Sequence, residues 1–110
     1  MAYQTINPYS SETLANFPDA TDAEVRTAIV GAHEAFLGWR NTSFAERGQI
    51  LQKAADILRR DSDAYAKLLT LEMGKLFSEA KAEVELSAKI FEYYVRHAEA
   101  LLKPEKLPVL

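Results

Sequence analysis

The chain has 110 residues, 48% of them hydrophobic and 26% charged, with a net charge of −3 and no cysteine. That composition belongs to a folded protein rather than a disordered one, at a length where one compact domain buries about two-thirds of the surface its unfolded chain exposes. The 13 Lys and Arg are interspersed with 16 Asp and Glu, which leaves no basic stripe to follow a nucleic-acid backbone. Without cysteine there is no disulfide, thiolate metal site or cysteine nucleophile within these residues.

The opening MAYQTINPYS has neither a basic n-region nor an apolar h-region, so it is not a secretory signal. No run approaches the 18 or more apolar residues of a membrane span. The expectation is a cytoplasmic protein with no membrane partner, in which Asn41-Thr42-Ser43 matches the glycosylation pattern by chance.

Residues 1–18 read as a β-hairpin. Tyr3, Thr5 and Ile6 precede a turn rich in Asn, Pro and Ser, and Thr13, Leu14 and Phe17 follow it. Proline fixes φ, while Asn and Ser bond local backbone. A hairpin alone is marginal in water, so it should pack on something else.

Residues 21–103 read as four helices. Thr21 and Glu24 form a capping box, each satisfying the other's backbone amide. Val25, Ala28, Ile29, Ala32, Phe36 and Trp39 then recur at helical spacing, placing a first helix to about Trp39. Ser43 and Glu46 repeat the box, ahead of an Ile50, Leu51, Ala54, Ile57, Leu58 stripe. Asp61 or Ser62 is the expected cap of a short third helix carrying Tyr65, Leu68, Leu69 and Met73. A fourth helix runs from about Leu76 to Leu102, and Pro104 ends it. Each proline of the tail, residues 104–110, disfavours helix for the residue before it, so the tail reads as extended.

The joint before the fourth helix reads EMGK, and a Gly-Lys pair can either cradle phosphate or end a helix. A P-loop needs a glycine five positions before the second glycine and Ser or Thr after the lysine. Those positions hold Leu69 and Leu76, so both tests fail. Gly74 instead fits the left-handed position just past a helix end.

Other chemistry is sparse. His33 and His97 are isolated on different helices, and Ser10 and Ser11 sit in a turn with no histidine nearby in sequence. Lys81, Glu85 and Lys89 are spaced i,i+4 and read as a solvated charge run, worth tenths of a kcal/mol. No catalytic constellation is visible. The main apolar stripe of the fourth helix is Phe77, Ala80, Val84, Ala88, Phe91, Tyr94, Val95, Ala98 and Leu102, suited to a core. Leu86, Ile90 and Tyr93 line up on an adjoining face, as though to meet an element outside this chain.

In order and spacing, INPYSSE, AFLGWR, AERGQIL, LLTLEMGK, EAKAEV and FEYYV resemble the N-terminal part of the NAD(P)-dependent aldehyde dehydrogenase superfamily. KAEV and YYVRHAEALLK are most similar to bacterial succinate-semialdehyde dehydrogenases. The resemblance covers essentially the whole chain. It implies a hairpin and helical layer of an α/β cofactor-binding domain, preceding a larger remainder that carries the Rossmann-like sheet, the oxyanion-hole asparagine, the general-base glutamate and the catalytic cysteine. In such enzymes the thiolate attacks the aldehyde, hydride passes to NAD(P)+, and activated water releases the acid.

The resemblance further implies that NAD or NADP is bound by the parent and not by this segment alone, that the parent is a homo-oligomer, and that the segment alone is inactive. Residue by residue, it places Glu72 with the backbone of Thr5 and Ile6 at a monovalent cation site, and Ala82 and Leu86 near a substrate tunnel. The other reading open to these residues is a freestanding helical interaction module that docks a partner protein through helix 76–102.

Overall fold

The structure is a computed structural model that describes residues 3–108. The first two residues of the expected hairpin and the last two of the expected tail lie outside the described residues. The chain forms β1 (Tyr3–Ile6), β2 (Thr13–Phe17), α1 (Asp22–Trp39), α2 (Phe44–Arg60), α3 (Ser62–Met73) and α4 (Phe77–Leu101).

β1 and β2 pair antiparallel, with Tyr3 opposite Phe17 and Thr5 opposite Ala15. The register slips between Thr5 and Ile6, so that Ile6 faces Thr13. Such a bulge bends the strand and releases part of the ladder. The loop closes on Asn7, whose side-chain oxygen accepts from the Tyr9 amide at 2.9 Å and whose carbonyl accepts from the Ser11 amide at 2.8 Å. Ser11 takes a left-handed φ of 62° to complete the turn.

Both capping boxes form. Glu24 accepts from the Thr21 amide at 2.7 Å, and Glu46 does the same for Ser43 at 2.7 Å. Each carboxylate is held below the ordinary glutamate range, chiefly by that backbone hydrogen bond. At the α2–α3 junction Asp61, the single residue between the helices, takes the expected N-cap position of α3, but its side chain makes no cap hydrogen bond. Arg60 donates to it instead, from Nε at 3.0 Å and Nη2 at 2.7 Å, and a carboxylate bound to a guanidinium is turned away from the helix amides.

The core lies where α4 packs against α2 and α3, and its buried apolar residues are small: Ala55, Ala66, Ala80, Val84 and Ala88. Gly48 is buried as well, and a Cβ there would stand 3.5 Å from Val95 Cγ1. Small side chains let helix backbones approach closely, but they remove little apolar surface from water.

This is less than one compact domain should bury. The chain exposes 9310 Å², whereas a compact monomer of its mass exposes about 6,100 Å². Its radius of gyration is 19.5 Å, against about 13 Å for a compact chain of 100 residues. The reason is visible along the sequence. Every residue from Thr21 to Asn41 is exposed, so α1 buries nothing. Of the stripe expected to face a core on α4, only Ala80, Val84 and Ala88 are fully buried, and Phe77, Tyr94 and Leu102 are exposed. A pattern of apolar residues shows which face a helix is built to hide, not whether the covering element is present.

Candidate functional site

The Gly-Lys joint sits where three elements meet. Gly74 has φ +70°, and its amide donates to the Thr70 carbonyl at 3.0 Å, closing α3 in the left-handed geometry that glycine adopts without strain. The hairpin loop lies against it: a Cβ on Gly74 would meet Pro8 Cγ at 3.1 Å. Lys75 is held in an ion pair by Glu83 on α4. The amide and the ammonium that a phosphate would need are thus occupied, and the joint is helix punctuation that seats the hairpin.

Beside this joint, β1 packs on α3, the helix that carries Glu72. Glu72 and Ile6 are exposed and Thr5 is half-buried. The Thr5 and Thr70 hydroxyl oxygens are buried with no hydrogen-bond partner. Among the described residues, no three or more His, Asp or Glu side chains gather as a metal site. The two residues placed near a substrate tunnel, Ala82 and Leu86, are both exposed on α4.

Leu86, Ile90 and Tyr93 form an open row along α4, each about half exposed. Tyr93 meets Tyr94 edge-on at 5.3 Å and His97 at 4.5 Å between ring centroids. His97 is therefore an aromatic neighbour rather than a member of a metal pair. His33 lies on unpacked α1, 6.4 Å from the Phe36 ring.

The charge run on α4 is more than a solvated face. Arg59 of α2 donates from Nε and Nη2 to Glu85 at 3.0 and 3.2 Å. The same guanidinium donates from Nη2 to Glu92 at 3.0 Å, with a further bond from Nη1. Gln52 adds a 3.4 Å bond to Glu92. These bonds, Arg59 first and Gln52 second, pull Glu92 down to about 2, while Glu85 is lowered chiefly by its bonds from Arg59. Arg59 is correspondingly raised. Lys81 reaches Asp63 on α3 at 2.6 Å. Periodicity within one helix cannot reveal such pairs, because the partners come from other helices.

An open cleft of about 490 Å³ runs between the start of α2 and the end of α4, with Phe44, Gly48, Gln52, Val95, Arg96 and Glu99 along it. It brings together no nucleophile with a base. The described residues make a hairpin clipped to a helical layer with large apolar faces uncovered, and comparison with known proteins identifies that arrangement.

The family model for aldehyde dehydrogenases matches residues 1–109. The chain belongs to the aldehyde dehydrogenase family. It is 48% identical over 105 residues to the NADP(+) succinate-semialdehyde dehydrogenase 1 of Mycobacterium tuberculosis, covering 96% of this chain and 23% of that one. The succinate-semialdehyde dehydrogenase [NADP(+)] of Deinococcus radiodurans is 40% identical over 107 residues, covering 97% and 22%. Among solved structures, the succinic semialdehyde dehydrogenase of Streptococcus pyogenes in complex with NADP+ superposes with a TM-score of 0.91 at 42% identity. That match covers 98% of this chain and 24% of the other. The chain thus spans about a quarter of the length of these relatives.

Proposed function

We propose that these residues are the N-terminal scaffold of an NADP-dependent aldehyde dehydrogenase that oxidises succinate semialdehyde to the acid. In this reading the catalytic cysteine lies outside the chain, and this segment supplies support rather than reacting groups. The observation that carries the reading is the uncovered apolar face of α1, together with the Leu86–Ile90–Tyr93 row on α4. Faces of that extent are stable in water only when another element covers them. The relatives have about three-quarters of their length available to do so. The named substrate and coenzyme of those relatives supply the choice of succinate semialdehyde and NADP.

In the same reading the coenzyme is held by the remainder of the parent and not by this segment alone. What these residues do is position. The Pro8–Gly74 contact seats the hairpin, and α2 and α3 carry α4 with its open row outward. Within the same reading, Glu72 and the backbone of Thr5 and Ile6 face a monovalent cation whose other ligands come from the remainder. The bulge at Thr5–Ile6 and the packing of β1 on α3 support that placement. Ala82 and Leu86, exposed on α4, border the approach of the aldehyde. The parent is a cytoplasmic homo-oligomer. In the structure itself, no helix among the described residues is long and apolar enough to cross a membrane.

The test is NADPH formation from NADP+ and succinate semialdehyde, first by this chain and then by the product of the uninterrupted reading frame. The expected result is no turnover by the 110 residues and turnover by the longer product. Turnover by the 110 residues above a buffer control overturns the scaffold assignment, and a natural stop codon after Leu110 overturns the parentage.

A further inference from the structure

We infer that Arg59 is a register key, fixing where α4 stops along α2 by reading the charge sequence of α4. Glu85 and Glu92 are seven residues apart on α4, so they recur two turns apart on one face, about 10.5 Å along the axis. A single guanidinium bonds both. Its planar fork holds carboxylates in fixed directions, unlike the point charge of a lysine.

The apolar seam cannot do this alone. It consists of Ala80, Val84 and Ala88 on α4 against Gly48, Ala55 and Ala66. One way, a one-turn movement brings Val84, Ala88 and Glu92 to the places of Ala80, Val84 and Ala88, and the seam itself resists that carboxylate; the other way it brings Leu76, Ala80 and Val84, an exchange of apolar side chains only.

The charges respond very differently to the same movement. A shift of four residues one way brings Lys89 and Arg96 to the places of Glu85 and Glu92. The opposite shift brings Lys81 and Ala88. Shifts of three bring Ala88 with Val95, or Ala82 with Lys89. Every neighbouring register therefore removes both acceptors from Arg59, and three of the four put a cation against it. A second pair runs the same way, since Lys81 meets Asp63 of α3 in the native register and a four-residue shift replaces it with Phe77 or Glu85. Ionic groups at a seam serve better to choose among packings than to add stability.

The absence of cysteine allows a direct test by disulfide mapping. Gly48 lies against Val95, so Gly48→Cys with Val95→Cys reports the native register. Gly48→Cys with Glu99→Cys, or with Phe91→Cys, reports a one-turn slip either way. With Arg59 present, only the Gly48–Val95 pair should oxidise. In an Arg59→Met background, crosslinking of at least one slipped pair, relative to the native pair, should rise tenfold or more. An unchanged crosslinking pattern in folded Arg59→Met overturns the inference. If Arg59→Met does not fold, Glu85→Gln with Glu92→Gln removes the acceptors instead: a tenfold rise of a slipped crosslink in that variant supports the inference, and an unchanged pattern overturns it.

Discussion

α1 and α2 begin with the same device and end in different circumstances. They are 18 and 17 residues long, and both carry a complete capping box. α2 buries Gly48 and Ala55 against α4, whereas α1 buries nothing. Local chemistry starts a helix, but an isolated helix of this length is marginal in water, and packing supplies most helical stability in proteins. The pair separates those two contributions within one chain.

The widest gap between the two regions should appear when a charge is placed in each apolar face. Ala80→Asp puts an unpaired carboxylate into the α3–α4 seam and should cost about 3–5 kcal/mol, read as a lowered denaturant midpoint. Ile29→Asp on α1 should stay within about 0.5 kcal/mol in the same measurement. Equal losses would mean that α1 is packed after all.

Gly74→Ala probes the joint that α1 lacks. It forces an alanine into the left-handed region at about 1–2 kcal/mol and presses its Cβ on Pro8. Added Pro8→Ala should relieve the steric part and leave the backbone part, as a double-mutant cycle would report. Next in size is the cap itself. Ser43→Ala should lower bundle stability by about 1 kcal/mol, while Thr21→Ala should leave the bundle midpoint unchanged and reduce only far-UV helicity.

The mildest effect concerns pH. Glu92 is held at about 2 in the fold against 4.5 ordinarily, so its bond to Arg59 stabilises fully above pH 4.5. That contribution is lost as pH falls from 4.5 towards 2. α2 and α4 should therefore show a declining melting temperature across that window, and Glu92→Gln should flatten the decline. α1 titrates differently, because its Glu24 is lowered by its own cap and answers to no other helix.

How much of this was legible in the sequence follows from the range of each interaction. Thr21–Glu24, Ser43–Glu46 and Gly74 act over a few residues, and their patterns announced α1, α2 and the end of α3. The hairpin was announced by Asn7-Pro8, though not the bulge at Thr5–Ile6, which depends on how two strands pair. The Arg59 bonds to Glu85 and Glu92 and the seat of Pro8 on Gly74 were hidden, because their partners are 26 or more positions away. Asp61 was legible as the N-cap of α3, but the bond of its side chain to Arg60 in place of the helix amides was not. The exposure of Phe77, Tyr94 and the α1 stripe was hidden for another reason. Their pattern records a buried face, and nothing in 110 residues states how much of the covering layer accompanies them. For the candidate site, motif order carried the family, whereas the positions assigned to Glu72, Ala82 and Leu86 came from resemblance alone.

The contact between Pro8 and Gly74 sets a timetable for the nascent chain. The hairpin leaves the ribosome before its resting place, which is built some sixty-six positions later. Until α3 has cleared the exit tunnel, the two strands have nothing to lean on, and a lone pair of strands is barely stable in water. The hairpin therefore settles only after a helix made well behind it.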